Sequence, residues 1–89
     1  MIEEVSITDV MGDYPFKVFR GKIRWKGMDV RFEGVVYQSV GGPNVKASVE
    51  EEDLKTLLGK GVTYEEINSL ELELTQKILN GEISLESIR

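Results

Sequence analysis

The stretch FKVFRGKIRWKGMDVRFEGVVYQ, residues 16–38, decides the fold. Two runs rich in aromatic and β-branched residues flank Lys26 and Gly27, the pattern of two strands joined by a two-residue hairpin turn. With these as the turn residues, Trp25 stands opposite Met28, Ile23 opposite Val30, Gly21 opposite Phe32 and Phe19 opposite Gly34. Each glycine then faces a phenylalanine, and the missing side chain leaves room for a ring to lie across the neighbouring strand, so this is the core face. The other face pairs Arg24 with Asp29, Lys22 with Arg31, Arg20 with Glu33, Val18 with Val35 and Phe16 with Tyr37. Arg24–Asp29 and Arg20–Glu33 are opposite in sign, an order that a one-residue slip would scramble. The two apolar rows at the far end of this face are expected to lie under a helix or the N-terminal strand.

Working outward, Ile2 to Val10 places Val5 and Ile7 at strand spacing, and Gly12, Asp13 and Pro15 form a turn or loop. Downstream, Val36 to Val40 continues the hairpin strand, Gly41 to Asn44 reads as a turn, and Val45 to Ala47 as a short returning strand. Two capping-box patterns follow, Ser48-Val49-Glu50-Glu51 and Thr63-Tyr64-Glu65-Glu66, which predict helices over about 49–58 and 64–79. The first ends at Gly59 and Gly61, the second at Asn80 and Gly81. Strands followed by helices, without βαβ alternation, predict one α+β domain over residues 1–89: a four- or five-stranded antiparallel sheet with two helices on one face. Ile67, Leu70, Leu74 and Ile78 form the inward stripe of the second helix. Leu72 and Leu79 lie well round from it, and two readings compete for them. Either the tail from Glu82 folds back, with Ile83, Leu85 and Ile88 covering them, in a short helix begun at Ser84, or they face a partner or a second copy of the chain.

Composition excludes much chemistry. There is no Cys and no His, which removes disulfides, zinc sites built on thiolate or imidazole, a cysteine nucleophile and the usual general base near neutral pH. No spacing of the remaining carboxylates, lysines and tyrosines implies an acid and base pair, and the expectation is a non-enzyme. The acidic N-terminus and the absence of a long apolar run argue against a leader or a membrane span, so the chain is read as cytoplasmic. Few Asn and Gln beside many Glu and Lys fit a heat-adapted source.

Charge is unevenly placed. Residues 17–31 hold six basic residues and one acidic residue in a chain of net charge −5, while residues 50–89 hold ten carboxylates. After the cross-strand pairs are formed, Lys22, Lys26 and Arg31 remain as a modest basic spot. Together with Leu72 and Leu79 they are the candidate partner-binding residues, and the expected role is binding to a protein partner or a second copy. Two alternatives are read from the same residues. The run Glu50 to Asp53 caps a helix start electrostatically, but Glu50 and Asp53 converge on one side and Glu82 would approach them if the helices are antiparallel, a potential calcium site with Asp9 and Asp13 as a second candidate. Trp25, Phe16 and Tyr37 among basic residues resemble a stacking platform for nucleic acid, yet Trp25 points away from the bases and the pI near 4.7 opposes a polyanion.

Overall fold

The computed structural model describes residues 2–12 and 16–83. Asp13, Pro15, Ser84, Leu85 and Ile88, on which parts of the loop, tail and second metal reading depend, lie outside them. Four strands, β1 (Ile2–Met11), β2 (Phe16–Trp25), β3 (Met28–Ser39) and β4 (Gly42–Val49), form an antiparallel sheet in sequence order, and α1 (Glu51–Gly59) and α2 (Tyr64–Leu79) follow. The fold is α+β, with helices packed against the sheet.

The β2–β3 register is the one expected, from Trp25–Met28 to Phe16–Tyr37. Lys26 and Gly27 both adopt positive φ, 52° and 75°, which a two-residue turn needs to match the twist of its strands. A Cβ on Gly21 would lie 2.5 Å from Phe32 Cζ, and one on Gly34 would lie 2.5 Å from Phe19 Cζ. The rings of Phe19 and Phe32 therefore cross the sheet, meeting edge to face with centroids 6.2 Å apart. With Ile23, Trp25 and Val30 they meet Leu57 of α1 and Ile67, Leu70, Leu74 and Ile78 of α2 in one core. Ile83 is buried there as well.

The second hairpin is tighter than the sequence implied. Its turn is Val40-Gly41, and β4 begins at Gly42, because Ser39 pairs with Gly42 and Gln38 with Pro43. Pro43 is tolerated inside the strand because it occupies an edge and a non-hydrogen-bonded row, where its missing N–H would have pointed away from β3.

The first capping box does not form. Ser48 stays in β4 opposite Glu33, and α1 starts at Glu51 with Glu50 as its N-cap and no side-chain cap. The ladder continues to Phe32–Val49 and holds Ser48 in the strand, so the helix can begin only after it. The second box forms as expected: Thr63 accepts from the Glu66 N–H at 3.2 Å while Glu66 accepts from the Thr63 N–H at 3.0 Å. Both helices end in a left-handed glycine. Val62 N–H reaches Leu57 O after α1, and Glu82 N–H reaches Lys77 O after α2, with Gly61 and Gly81 at φ 93° and 79°.

Candidate functional site

The junction between sheet and helices is built on Arg31. Continuing the β3–β4 register by one row would pair Arg31 with Glu50, with two reciprocal backbone hydrogen bonds. Only one is made to the backbone: Glu50 N–H donates to Arg31 O at 3.0 Å, while Glu50 O accepts from Leu54 N–H at 2.8 Å as the first bond of α1. The Arg31 N–H turns instead to Asp53 Oδ2 at 2.7 Å. The Arg31 guanidinium grips the same carboxylate, Nε to Oδ2 at 3.1 Å and a terminal nitrogen to Oδ1 at 2.8 Å. These side-chain hydrogen bonds hold the Asp53 carboxyl below the ordinary carboxylate range, and the carboxylate in turn raises the Arg31 guanidinium.

A similar substitution occurs on the outer edge of β4. Val49 N–H, directed away from β3 by the same alternation, donates to Glu71 Oε2 of α2 at 2.9 Å. Two carboxylates thus complete the end of the sheet where the chain leaves it. Neither role is signalled by the local sequence, because Asp53 and Glu71 each reach a backbone group 22 residues away.

The basic spot is altered by these contacts. Of Lys22, Lys26 and Arg31, Arg31 belongs to Asp53, and Lys26 lies 3.0 Å from Glu66 with its ammonium 5.3 Å from the Trp25 ring centroid. Donation by the Thr63 backbone N–H and then the Lys26 contact lower the Glu66 carboxyl. The expectation of uncompensated charge at Arg31 and Lys26 is therefore corrected, because helix carboxylates lying far off in sequence return to meet them. Lys22 projects from the outer sheet face, opposite Ser6 and Arg31.

The acidic candidates are dispersed. Asp53 is committed to Arg31, whereas Glu82 lies 3.5 Å from Lys77 beside a cleft of about 300 Å³ lined by Ile2, Glu3, Val5 and Ile7. Glu82 thus sits at β1, away from the start of α1, and the convergence expected from antiparallel helices is not found. Asp9 stands opposite Arg20 in the β1–β2 ladder. Among the described residues, no three acidic side chains come together as a cation site. Trp25 is buried in the core, which removes it from any stacking surface.

Apolar exposure lies elsewhere. Leu72 and Leu79 are 59% and 49% exposed on α2. A larger group occupies the outer face of the sheet, opposite the helices: Met11, Phe16 and Val18 are 65%, 61% and 45% exposed, and Val35 and Tyr37 beside them are half-buried. Met11 pairs with Val18, Val18 with Val35 and Phe16 with Tyr37, so the five are contiguous across three strands. The expectation that a helix or the first strand covers these rows is corrected: β1 lies alongside them, and both helices serve the opposite face. The hairpin register already put Phe16, Val18, Val35 and Tyr37 on one face, and Met11 joins them because β1 runs one residue past the expected Val10. The two helices lie on one face of the sheet, as expected, and what the sequence did not signal is that no described element reaches over the far apolar rows of the other face.

No helix among the described residues is long and apolar enough to cross a membrane. Comparisons with protein-family models, curated proteins and solved structures find no match for the chain.

Proposed function

We propose that the chain is a small non-catalytic binding module that acts through protein–protein contact, with the outer face of its sheet as the contact surface. The observation that carries this reading is the contiguous group Met11, Phe16, Val18, Val35 and Tyr37 on a sheet face with no described element over it. Scattered exposed apolar residues are ordinary on any protein, but a grouped patch with a charged border is the usual composition of an interaction surface. Here the border is formed by Asp9, Arg20, Glu33 and Lys46 from the four strands. Leu72 and Leu79 form a smaller apolar stripe on α2 that a partner could share.

The test is a photo-activatable phenylalanine analogue in place of Phe16, with the same analogue in place of Tyr64 as a control on another exposed site. Protein adducts at position 16 that vanish when Val18→Asp is added are the expected result. No protein adduct at position 16, or adducts indifferent to Val18→Asp, would overturn the reading.

A further inference from the structure

The geometry points to a second copy of this chain as the occupant of the outer sheet face, stacked face to face about a two-fold axis that runs along the strands between β2 and β3. The inference rests on the binding reading above and adds the partner. An axis in that position places the β2 column of one copy over the β3 column of the other, row for row. Phe16 then meets Tyr37 of the second copy, Val18 meets Val35, Arg20 meets Glu33 and Arg24 meets Asp29. These are the pairs already opposite within the hairpin, so the face is complementary to itself both in shape class and in sign.

Three further observations support this occupant. The intramolecular ion pairs are loose: Arg20 and Glu33 are 3.9 Å apart with side chains 60% and 48% exposed, and Arg24 and Asp29 are 3.5 Å apart, which leaves each able to accept a second partner. The only like-charged row in that column, Lys22 over Arg31, is relieved because the Arg31 guanidinium is held by Asp53. Arg31 on β3 apart, whose charge Asp53 meets, the charges on the face also alternate in sign from column to column, with Glu4 and Asp9 on β1, Arg20, Lys22 and Arg24 on β2, and Asp29 and Glu33 on β3. A polyanion or an anionic surface would need one sign across the face, whereas a two-fold copy supplies the complementary order.

The area is sufficient for a reversible dimer. In this arrangement β2 and β3 face each other over ten rows and β1 faces β4 over four, which at about 4.8 Å between strands and roughly 3.3 Å per residue gives about 450 Å² of sheet per copy, or roughly 900 Å² in total, the size of a weak, transient interface. Aligned sheets stack with a rotation of about 30°, so the central rows Val18–Val35 and Arg20–Glu33 keep their register best and the ends of the strands drift.

Sedimentation equilibrium over roughly 10 μM to 1 mM decides the matter, on the wild-type chain and three variants at exposed positions: Val18→Asp, Arg20→Glu and Glu33→Arg. The expected result is a concentration-dependent dimer for the wild type and at least a tenfold weaker association for each variant alone. An equimolar mixture of Arg20→Glu and Glu33→Arg should recover association, because in the mixed dimer both intermolecular pairs are again opposite in sign. This recovery also guards against misfolding, since two unfolded variants would not restore each other. A wild type that stays monomeric overturns the dimer, and a photo-adduct to a different protein at position 16 would then still uphold the broader binding reading. A dimer indifferent to Val18→Asp, or charge variants that fail to recover on mixing, overturns the interface by placing the contact elsewhere.

Discussion

The Asp53 carboxylate takes the place of a backbone carbonyl at the end of the sheet, accepting the Arg31 N–H at 2.7 Å where the strand ladder would have used Glu50 O. Glu50 is thereby free to belong to two elements, its N–H to the sheet and its carbonyl to α1. The transition from strand to helix costs no backbone hydrogen bond at this row, and the same carboxylate holds the Arg31 guanidinium at the sheet end.

Asp53→Ala removes the acceptor for the Arg31 N–H together with a charged contact in the first turn of α1. The expected loss is about 1–2 kcal/mol in urea unfolding, and Asp53→Asn should fall between it and the wild type because an amide oxygen still accepts. The pH dependence follows from the lowered Asp53 carboxyl. Its stabilisation is complete above the ordinary carboxylate pKa of about 4 and disappears as the pH falls through the lower folded value. Unfolding midpoints measured on both proteins should therefore converge in acid, and a constant gap down to low pH would contradict this account.

Gly34→Ala places a methyl group against Phe19 Cζ and the Lys46 carbonyl, where neither the ring nor the strand can give way. A loss of roughly 2–3 kcal/mol is expected, partly recovered by Phe19→Leu in the same chain. Gly59→Ala meets nothing within 4 Å and should change stability by less than about 1 kcal/mol, in the stabilising direction. Thermal unfolding of the three variants provides the comparison.

Thr63→Ala and Ser48→Ala separate a formed capping box from one that exists only as a sequence pattern. The first should cost about 1 kcal/mol, because Thr63 caps the Glu66 N–H, and the second within about 0.5 kcal/mol, because Ser48 lies in β4 and caps nothing. Equal losses in urea titrations would mean that α1 starts at Ser48 after all.

On α2, Leu74 is fully buried whereas Leu72 is 59% exposed, although both are leucines two positions apart. Leu74→Ala should cost about 2–5 kcal/mol, and Leu72→Gln no more than about 0.5 kcal/mol in the isolated chain. A large loss for Leu72→Gln would show that something covers it in solution.

What could be read from the sequence was local or periodic. The hairpin of residues 16–38 carries its own register in the turn residues, the glycine–phenylalanine pairs and the alternating charges, and all nine of the expected pairings are found. α2 carries its cap, its inward stripe and its terminal glycine, and its bounds Tyr64–Leu79 are those expected. Ser48 shows the limit of local reading: a capping pattern was present, but the ladder to β3 held the residue in a strand. Other features depended on contacts between distant segments. Asp53 looked like a potential metal ligand and Arg31 like a free cation until the fold placed them 2.8 Å apart, and Glu71 gave no sign of its reach to Val49. The sequence by itself determined the elements, the hairpin register and the two faces of the sheet, because these follow from turn chemistry and side-chain periodicity. Only the tertiary structure decided which charges are satisfied and that the far apolar rows of the outer face have no described element over them, because both depend on how far the two helices and β1 reach.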